Sequence, residues 1–232
     1  MNVAIIVAAG RGVRAGTGRA KQFRELAGVP VLAHTLRRFE ACARIAETIL
    51  VVPASEVAGC STFGVEHDLK KLARVVAGGA TRTESVWRGL QALDASTAEV
   101  VAVHDGVRPF VAPAEIDATV EAAREHGAAV LVAPVIDTIK EVEGGRIVRT
   151  LERQSLRRAL TPQCFRYDLL RRAYELALEE SSDATDDSAL VERLGATVVA
   201  VEGDPRNIKL TRAEDFALAE NIIGGWGSGV GD

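Results

Sequence analysis

The chain has no surplus of positive charge: 28 Lys and Arg stand against 32 Asp and Glu, a formal net charge of −4. So balanced a surface has no general affinity for nucleic acid or an anionic membrane, and any anion-binding function must be local. Cysteine is also scarce. The three thiols, Cys42, Cys60 and Cys164, are odd in number and lack the short spacings of a zinc site or redox pair. They read as buried thiols in a reducing cytosol. No apolar run approaches the roughly 20 residues that span a bilayer. The opening "NVAIIVAAG" is too short for a signal sequence and has no Arg- and Ser-rich lead. These absences predict a soluble, cytoplasmic protein with neither nucleic acid nor membrane as partner.

What is present is an alternating pattern. Apolar residues make up 47% of the 232 positions, enough for one ample domain. Continuous apolar runs begin at Val3, Thr48, Ala73, Glu99 and Ala128, as expected of strands covered on both faces. Helical patterns lie between them. One begins near Pro30, one at Thr81 with Glu84 in the capping-box position, and one ends at Gly127, a suitable left-handed stop. Further helices are expected in "RYDLLRRAYELALEE", from near Thr185, and in "TRAEDFALAENII", with a strand in "TVVAVEG". The predicted fold is α/β, a Rossmann-like and mostly parallel sheet with helices on both faces. The rhythm breaks at about 136–152, where apolar and polar residues alternate around Gly144-Gly145 as in an antiparallel hairpin. A lone hairpin is marginal. It is therefore expected to be an arm packed on a second subunit, and the tail from about 224 to be frayed.

The first strand leads into "VAAGRGVRAGTGRAKQ", a glycine-rich loop carrying Arg11, Arg14, Arg19 and Lys21. Residues from Gly10 to Ala15 satisfy the dinucleotide pattern, which requires an acidic residue at the tip of the second strand roughly 20 residues on. None is there, because the second strand starts at about Thr48 and ends in "VVPAS". A Walker A loop is excluded because Gln22 follows Lys21 where Ser or Thr is required. What remains is a loop at the ligand edge of an open sheet, where the main chain around Gly10 and Gly12 can form a nest for phosphate oxygens. Arg14 and Lys21 are spaced to address different phosphates of one polyphosphate chain. A solvated surface loop is the bland alternative.

A second constellation, "VAVHDGVRPF", ends a strand with Asp105 and then Arg108. A carboxylate there can bind Mg²⁺ or a sugar hydroxyl, since hard oxygen ligands suit a hard cation, though Asp at a strand end also caps turns. His104, with no other His nearby in sequence, reads as a packed strand residue.

Seven segments in order, "AAGRGVR" with "KQ", "GGATRTESV", "HDGVRPF", "APVIDTIK", "ALTPQCF", "ATDDSALVE" and "VEGDPRNIKLT", together resemble the 2-C-methyl-D-erythritol 4-phosphate cytidylyltransferase family. The resemblance runs from Val3 to about Ile223. Ala15 stands where Met is common, Ala20 where Pro is, and Gly106 where Ala is. The resemblance implies transfer of CMP from CTP to methylerythritol 4-phosphate, with release of pyrophosphate, in the non-mevalonate isoprenoid pathway. It implies Mg²⁺ as cofactor, with Asp105 serving metal and ribose, and Arg14 and Lys21 stabilising charge at the reacting phosphorus. Ala8, Ala9, Gly79 and Ser85 would read the cytosine. Arg153 and Lys209 would clamp the acceptor, helped by Arg108, Thr138, Thr161 and Thr185. A homodimer through the arm would bring Thr138 and Arg153 into the partner's site. Taken singly, Thr161 before Pro162 could shape a turn, Thr185 could cap a helix, and Lys209 could be a strand-edge charge. The runner-up is ribitol 5-phosphate cytidylyltransferase, and the non-enzymatic reading is a nucleotide-sensing module that would lack Arg14, Lys21 or Asp105.

Overall fold

The computed structural model describes residues 1–10, 20–180, 182 and 184–227. Gly12 and Arg14 lie outside the described residues. The first apolar run forms β1 (Val3–Val7), and its side chains alternate between two cores, Ala4 and Ile6 facing one and Val3 and Ile5 the other. Next come β2 (Glu25–Leu26), β3 (Val29–Pro30), α1 (Val31–Glu40), β4 (Glu47–Val52), α2 (Phe63–Glu66), β5 (Leu72–Ala77) and α3 (Arg82–Gln91). The middle of the chain supplies β6 (Val100–Asp105), α4 (Pro113–His126), β7 (Ala128–Pro134), β8 (Lys140–Glu143) and β9 (Arg146–Thr150). The rest is β10 (Arg157–Arg166), α5 (Tyr167–Glu179), α6 (Asp187–Arg193), β11 (Val199–Glu202) and α7 (Ala213–Gly227).

Among the described residues, a seven-stranded sheet runs in the order β11-β7-β10-β6-β1-β4-β5. The strands pair in parallel except β10, which is antiparallel to both β6 and β7. Leu32, Leu36 and Phe39 of α1 with Ile116 and Val120 of α4 cover one face. Val86 and Leu90 of α3, Leu170 and Tyr174 of α5, and Leu190 of α6 cover the other. The expected two-sided α/β sheet is thus present. A third cluster joins Phe216 and Ala219 of α7 to Leu26, Val107 and Leu210.

β10 is a strand the hydrophobic pattern does not predict, because Pro162 sits inside it. A proline cannot donate to a ladder and is tolerated in a sheet only at an edge or an irregularity. β10 supplies the irregularity: its pairing with β7 breaks between Ala159 and Gln163 and then resumes. The Thr161–Pro162 peptide there is cis.

Local signals are met with small differences. Thr81 caps α3 by accepting from the Glu84 N–H (3.1 Å), while the Glu84 carboxylate accepts from the Ala80 N–H (2.7 Å). Gly127 ends α4 with φ of +95°. Pro30 occupies the N-cap of α1, directly before its first turn. The cap of α6 is Asp186, whose carboxylate accepts from the Ala189 N–H (3.1 Å), so Thr185 stays outside the helix. α7 continues to Gly227, past the expected boundary at about 224.

β8 and β9 form the expected antiparallel hairpin, turned by Gly144 and Gly145 at φ of +54° and +78°. Both angles are costly for any residue with a Cβ. Val142, Ile147 and Val148 on this hairpin are each more than half exposed, unlike any strand of the main sheet.

His104 lies at the end of β6 with its ring edge against Phe39, and burial drives its pKa down to about 4 from 6.5. The fold excludes a proton that the unfolded chain takes up between those values, so stability is full above the upper one and falls as pH drops towards the lower. That gap corresponds to about 3 kcal/mol. Urea denaturation at about pH 7 and about pH 4.5 is expected to show this loss, and His104→Asn, which does not titrate, to remove that share of it.

Candidate active site

Parallel pairing brings the carboxyl ends of β1, β4 and β6 level, with Val7 opposite both Val51 and Asp105. The loops leaving these strands and β5 therefore open on one edge. Their approach is close: a Cβ on Gly106 would lie 2.9 Å from the Ala8 Cβ and 3.1 Å from Leu32 Cδ1. Glycine at this position lets the ends of β6 and β1 close on each other.

Between these loops is a cavity of about 300 Å³ lined by Ala8, Ala9, Gly10, Lys21, Gly79 and Ser85 on one side and by Asp105 and Lys209 on the other. The Ala8 N–H donates to the Val51 carbonyl (2.7 Å), so this amide is spent on the fold. Ser85 donates its proton to the Thr81 carbonyl (2.8 Å) and accepts from the Gly79 N–H (3.1 Å), fixing the loop between β5 and α3. Gln22, absent from the candidate residues, is buried and donates to the carbonyls of Ala8 (2.7 Å) and Gly10 (3.1 Å). It turns those carbonyls inward and ties the start of the glycine loop to Lys21. The signal in the sequence was an amide directly after the lysine.

On the far side of Asp105 a second cavity of about 250 Å³ is lined by Arg108, Thr161, Gln163, Thr185 and Asp186. Arg82, Asp105 and Lys209 line both cavities and form the wall between them. Asp105 is 6% exposed. Its carboxylate meets Lys209 Nζ at 2.8 Å, Arg108 Nε at 3.5 Å and Arg82 Nε at 3.6 Å. Burial alone would raise its pKa, but Lys209, Arg82 and Arg108 outweigh it and hold the carboxyl well below the usual range. It is an anion at every working pH.

Arg82 is itself held from behind. Its guanidinium makes a bidentate pair with the fully buried Asp187 (2.8 and 2.6 Å), and Tyr174 donates its hydroxyl to the same carboxylate. Gln163 accepts from the N–H groups of Asp187 and Ser188 (2.9 Å each) and donates to Asp186 (3.0 Å). The segments "GGATRTESV", "TPQCF" and "ATDDSALVE", far apart in sequence, are thereby one network. With Lys21, four cations meet the three carboxylates of Asp105, Asp186 and Asp187, so the site keeps a net positive charge suited to an anion.

Thr138 and Arg153 join neither cavity. Thr138 is exposed at the base of the hairpin, and Arg153 donates to the Ile136 carbonyl (2.6 Å) on the same arm. No group of three or more His, Cys, Asp or Glu side chains that could hold a metal occurs among the described residues. Asp105 fits Mg²⁺ in one mode only, as a single carboxylate whose Oδ1 is the less engaged oxygen, with substrate phosphates and water as the other ligands.

The model of a known family, described as 2-C-methyl-D-erythritol 4-phosphate cytidylyltransferase, matches residues 2–225. The chain belongs to this family. Its members include the Geobacter metallireducens enzyme of that name, 44% identical over 95% of this chain and 96% of its own length. The Bacillus velezensis enzyme is 46% identical over 95% of each. Among solved structures, the Anaerococcus prevotii 4-diphosphocytidyl-2C-methyl-D-erythritol synthase superposes with a TM-score of 0.86 at 31% identity, covering 96% of both chains. The Thermus thermophilus cytidylyltransferase gives 0.76 at 34% identity, over 95% of this chain and 98% of its own. The family is that of the methylerythritol enzyme, not of the ribitol 5-phosphate enzyme weighed as runner-up. No helix among the described residues is long and apolar enough to cross a membrane.

The Arg82–Asp187 pair gives a direct test of this cytidylyltransferase framework. Asp187→Ala leaves Arg82 without its buried partner, and the expected loss of stability is toward the low end of about 3–5 kcal/mol, since a quarter of the Arg82 side chain stays in water. Chemical denaturation of the variant beside the parent measures it.

Proposed function

We propose that the protein transfers the cytidylyl group of CTP to the phosphate of 2-C-methyl-D-erythritol 4-phosphate, releasing pyrophosphate. The observation that carries this reading is the pair of cavities with a common charged wall, one beside the glycine loop and the other beside Arg108 and Thr161. In this reading the acceptor's phosphate on the second side and the α-phosphorus on the first meet at that wall, where Lys209 and Arg82 offset the charge of both. No side-chain nucleophile is needed, because the acceptor's own oxygen attacks and the protein supplies position and positive charge.

In this reading Ala9, Gly79 and Ser85 bound the base, and the main chain at Gly10, continuing through Gly12, holds the triphosphate. Lys21 and Arg14 stabilise the charge that builds on the five-coordinate phosphorus. Asp105 keeps Lys209, Arg82 and Arg108 converged on the junction and offers an oxygen to the ribose and the metal. Mg²⁺, when bound with the triphosphate, neutralises the charge of the departing pyrophosphate. Lys209, with Arg108 and Thr185, faces the acceptor's phosphate.

The half-exposed apolar residues of the β8–β9 hairpin support a homodimer in which the arm is covered by a second chain. Thr138 and Arg153, which reach neither cavity of their own chain, then serve the partner's acceptor pocket. A reducing cytosol is the compartment this reading expects.

A coupled pyrophosphate assay with CTP, Mg²⁺ and methylerythritol phosphate tests the reaction. Turnover is expected with this acceptor and not with ribitol 5-phosphate, and removal of the divalent ion by chelation is expected to stop it reversibly. Lys21→Ala is expected to lower kcat by a factor on the order of 10² to 10³, the usual effect of removing one charge stabiliser. Mixing Lys21→Ala and Arg153→Ala chains, each nearly inactive, is expected to restore turnover. Continued inactivity of the mixture would place Arg153 outside the partner's site.

A further inference from the structure

Behind the charged wall runs a closed ring of hydrogen bonds. His104 Nε2 lies 3.1 Å from the Arg108 carbonyl, which can only accept, so Nε2 carries the proton. In a neutral imidazole Nδ1 is then an acceptor. It sits 3.0 Å from Thr161 Oγ1, and the one hydroxyl proton of Thr161 is therefore donated to His104. The same oxygen accepts from the Asp105 N–H (3.2 Å). The Thr161 carbonyl accepts from Asn207 Nδ2 (2.9 Å), and the Asn207 carbonyl accepts from Arg108 Nη1 (2.8 Å), which returns the ring to its start. His104 and Asn207 are fully buried and Thr161 is 5% exposed, so water does not compete for these bonds.

The ring joins the end of β6, the irregularity of β10 and the segment that carries Lys209. We infer that His104 and Asn207 are positioning residues for the transfer, and that Thr161 fixes the Asp105 main chain rather than donating a hydrogen bond to the acceptor's phosphate. A hydroxyl whose proton is committed to His104 has only a lone pair to offer, and a phosphate oxygen has no proton to give it. Thr161 lines the second cavity as wall, not as clamp. Asn207 holds the Thr161 carbonyl two residues before Lys209, so the ring also sets where that ammonium stands relative to Asp105.

This inference rests on the proposed transfer reaction for its kinetic readout but not for its first test. A long-range nitrogen–proton correlation spectrum of the folded, ligand-free wild type at neutral pH is expected to show His104 protonated at Nε2. Protonation at Nδ1 would overturn the ring. In the steady state, Thr161→Val is expected to lower kcat roughly tenfold while the KM for methylerythritol phosphate moves less than about twofold, because the loss is one of alignment. A rise in that KM with kcat preserved would make Thr161 a phosphate contact and sink the proposal. His104→Gln can still donate to the Arg108 carbonyl but leaves the Thr161 proton without an acceptor, whereas the shorter amide of His104→Asn places an oxygen near the Nδ1 position. Asn is therefore expected to retain more kcat than Gln, and the reverse order counts against the ring. The Thr161→Val/His104→Gln double variant is expected to be no slower than the worse single one, and additive losses would mean that the two act separately. Circular dichroism checks that each variant folds. Should one unfold, the wild-type spectrum still decides. A wild type that released no pyrophosphate would remove the functional reading while leaving that spectrum as the test of the ring.

Discussion

Everything at the ligand edge is organised by one buried carboxylate that three cations hold in its charged form. An isolated Asp at 6% exposure would shed its charge. Asp105 keeps it because Lys209, Arg82 and Arg108 come from three separate parts of the chain to surround it. The dependence is mutual. Without the carboxylate, three like charges would be pressed into one small wall; with it, they stay together and still leave a positive field for a phosphorylated ligand. The glycine at 106 and the buried partners of Arg82 serve this same arrangement, one by letting two strand ends close, the other by fixing a guanidinium from behind.

Much of this edge could be read from the residues in order. Strands covered on both faces are continuous apolar runs, so β1, β4, β6 and β7 announced themselves; β5 and β11 carry similar runs but are edge strands only partly covered, and an acidic residue at the tip of β6 marked the ligand side. β10 did not, because its proline contradicts a central strand unless the ladder is known to break there, and only the partner strands reveal the break. Gln22 was seen as an exclusion of one loop type and not as the amide that pins another, since its acceptors are carbonyls, which carry no sequence signature.

His104 was classed as packing for want of a second histidine, and it is indeed buried. Its role depends on which nitrogen carries the proton, a property set by Arg108 and Thr161 across the sheet. Asn207, Asp187 and Tyr174 escaped notice for a related reason: each acts on a residue at the cavity and none touches the space itself. Sequence order did show that "TPQCF" and "ATDDSALVE" belong to one pattern. That Gln163 joins them by capping α6 is a fact of three dimensions. The hairpin was legible as a hairpin through its Gly144-Gly145 turn and its alternation.

The wall common to both cavities also couples them energetically. Two anionic ligands seated on either side draw on the same few positive charges, so the arrival of one alters the field met by the other, and by linkage the influence is equal in both directions. A divalent counter-ion bound with the first ligand would weaken that influence by cancelling part of the ligand's charge. How far two such ligands would help or hinder each other is thus set by a partition one side chain thick.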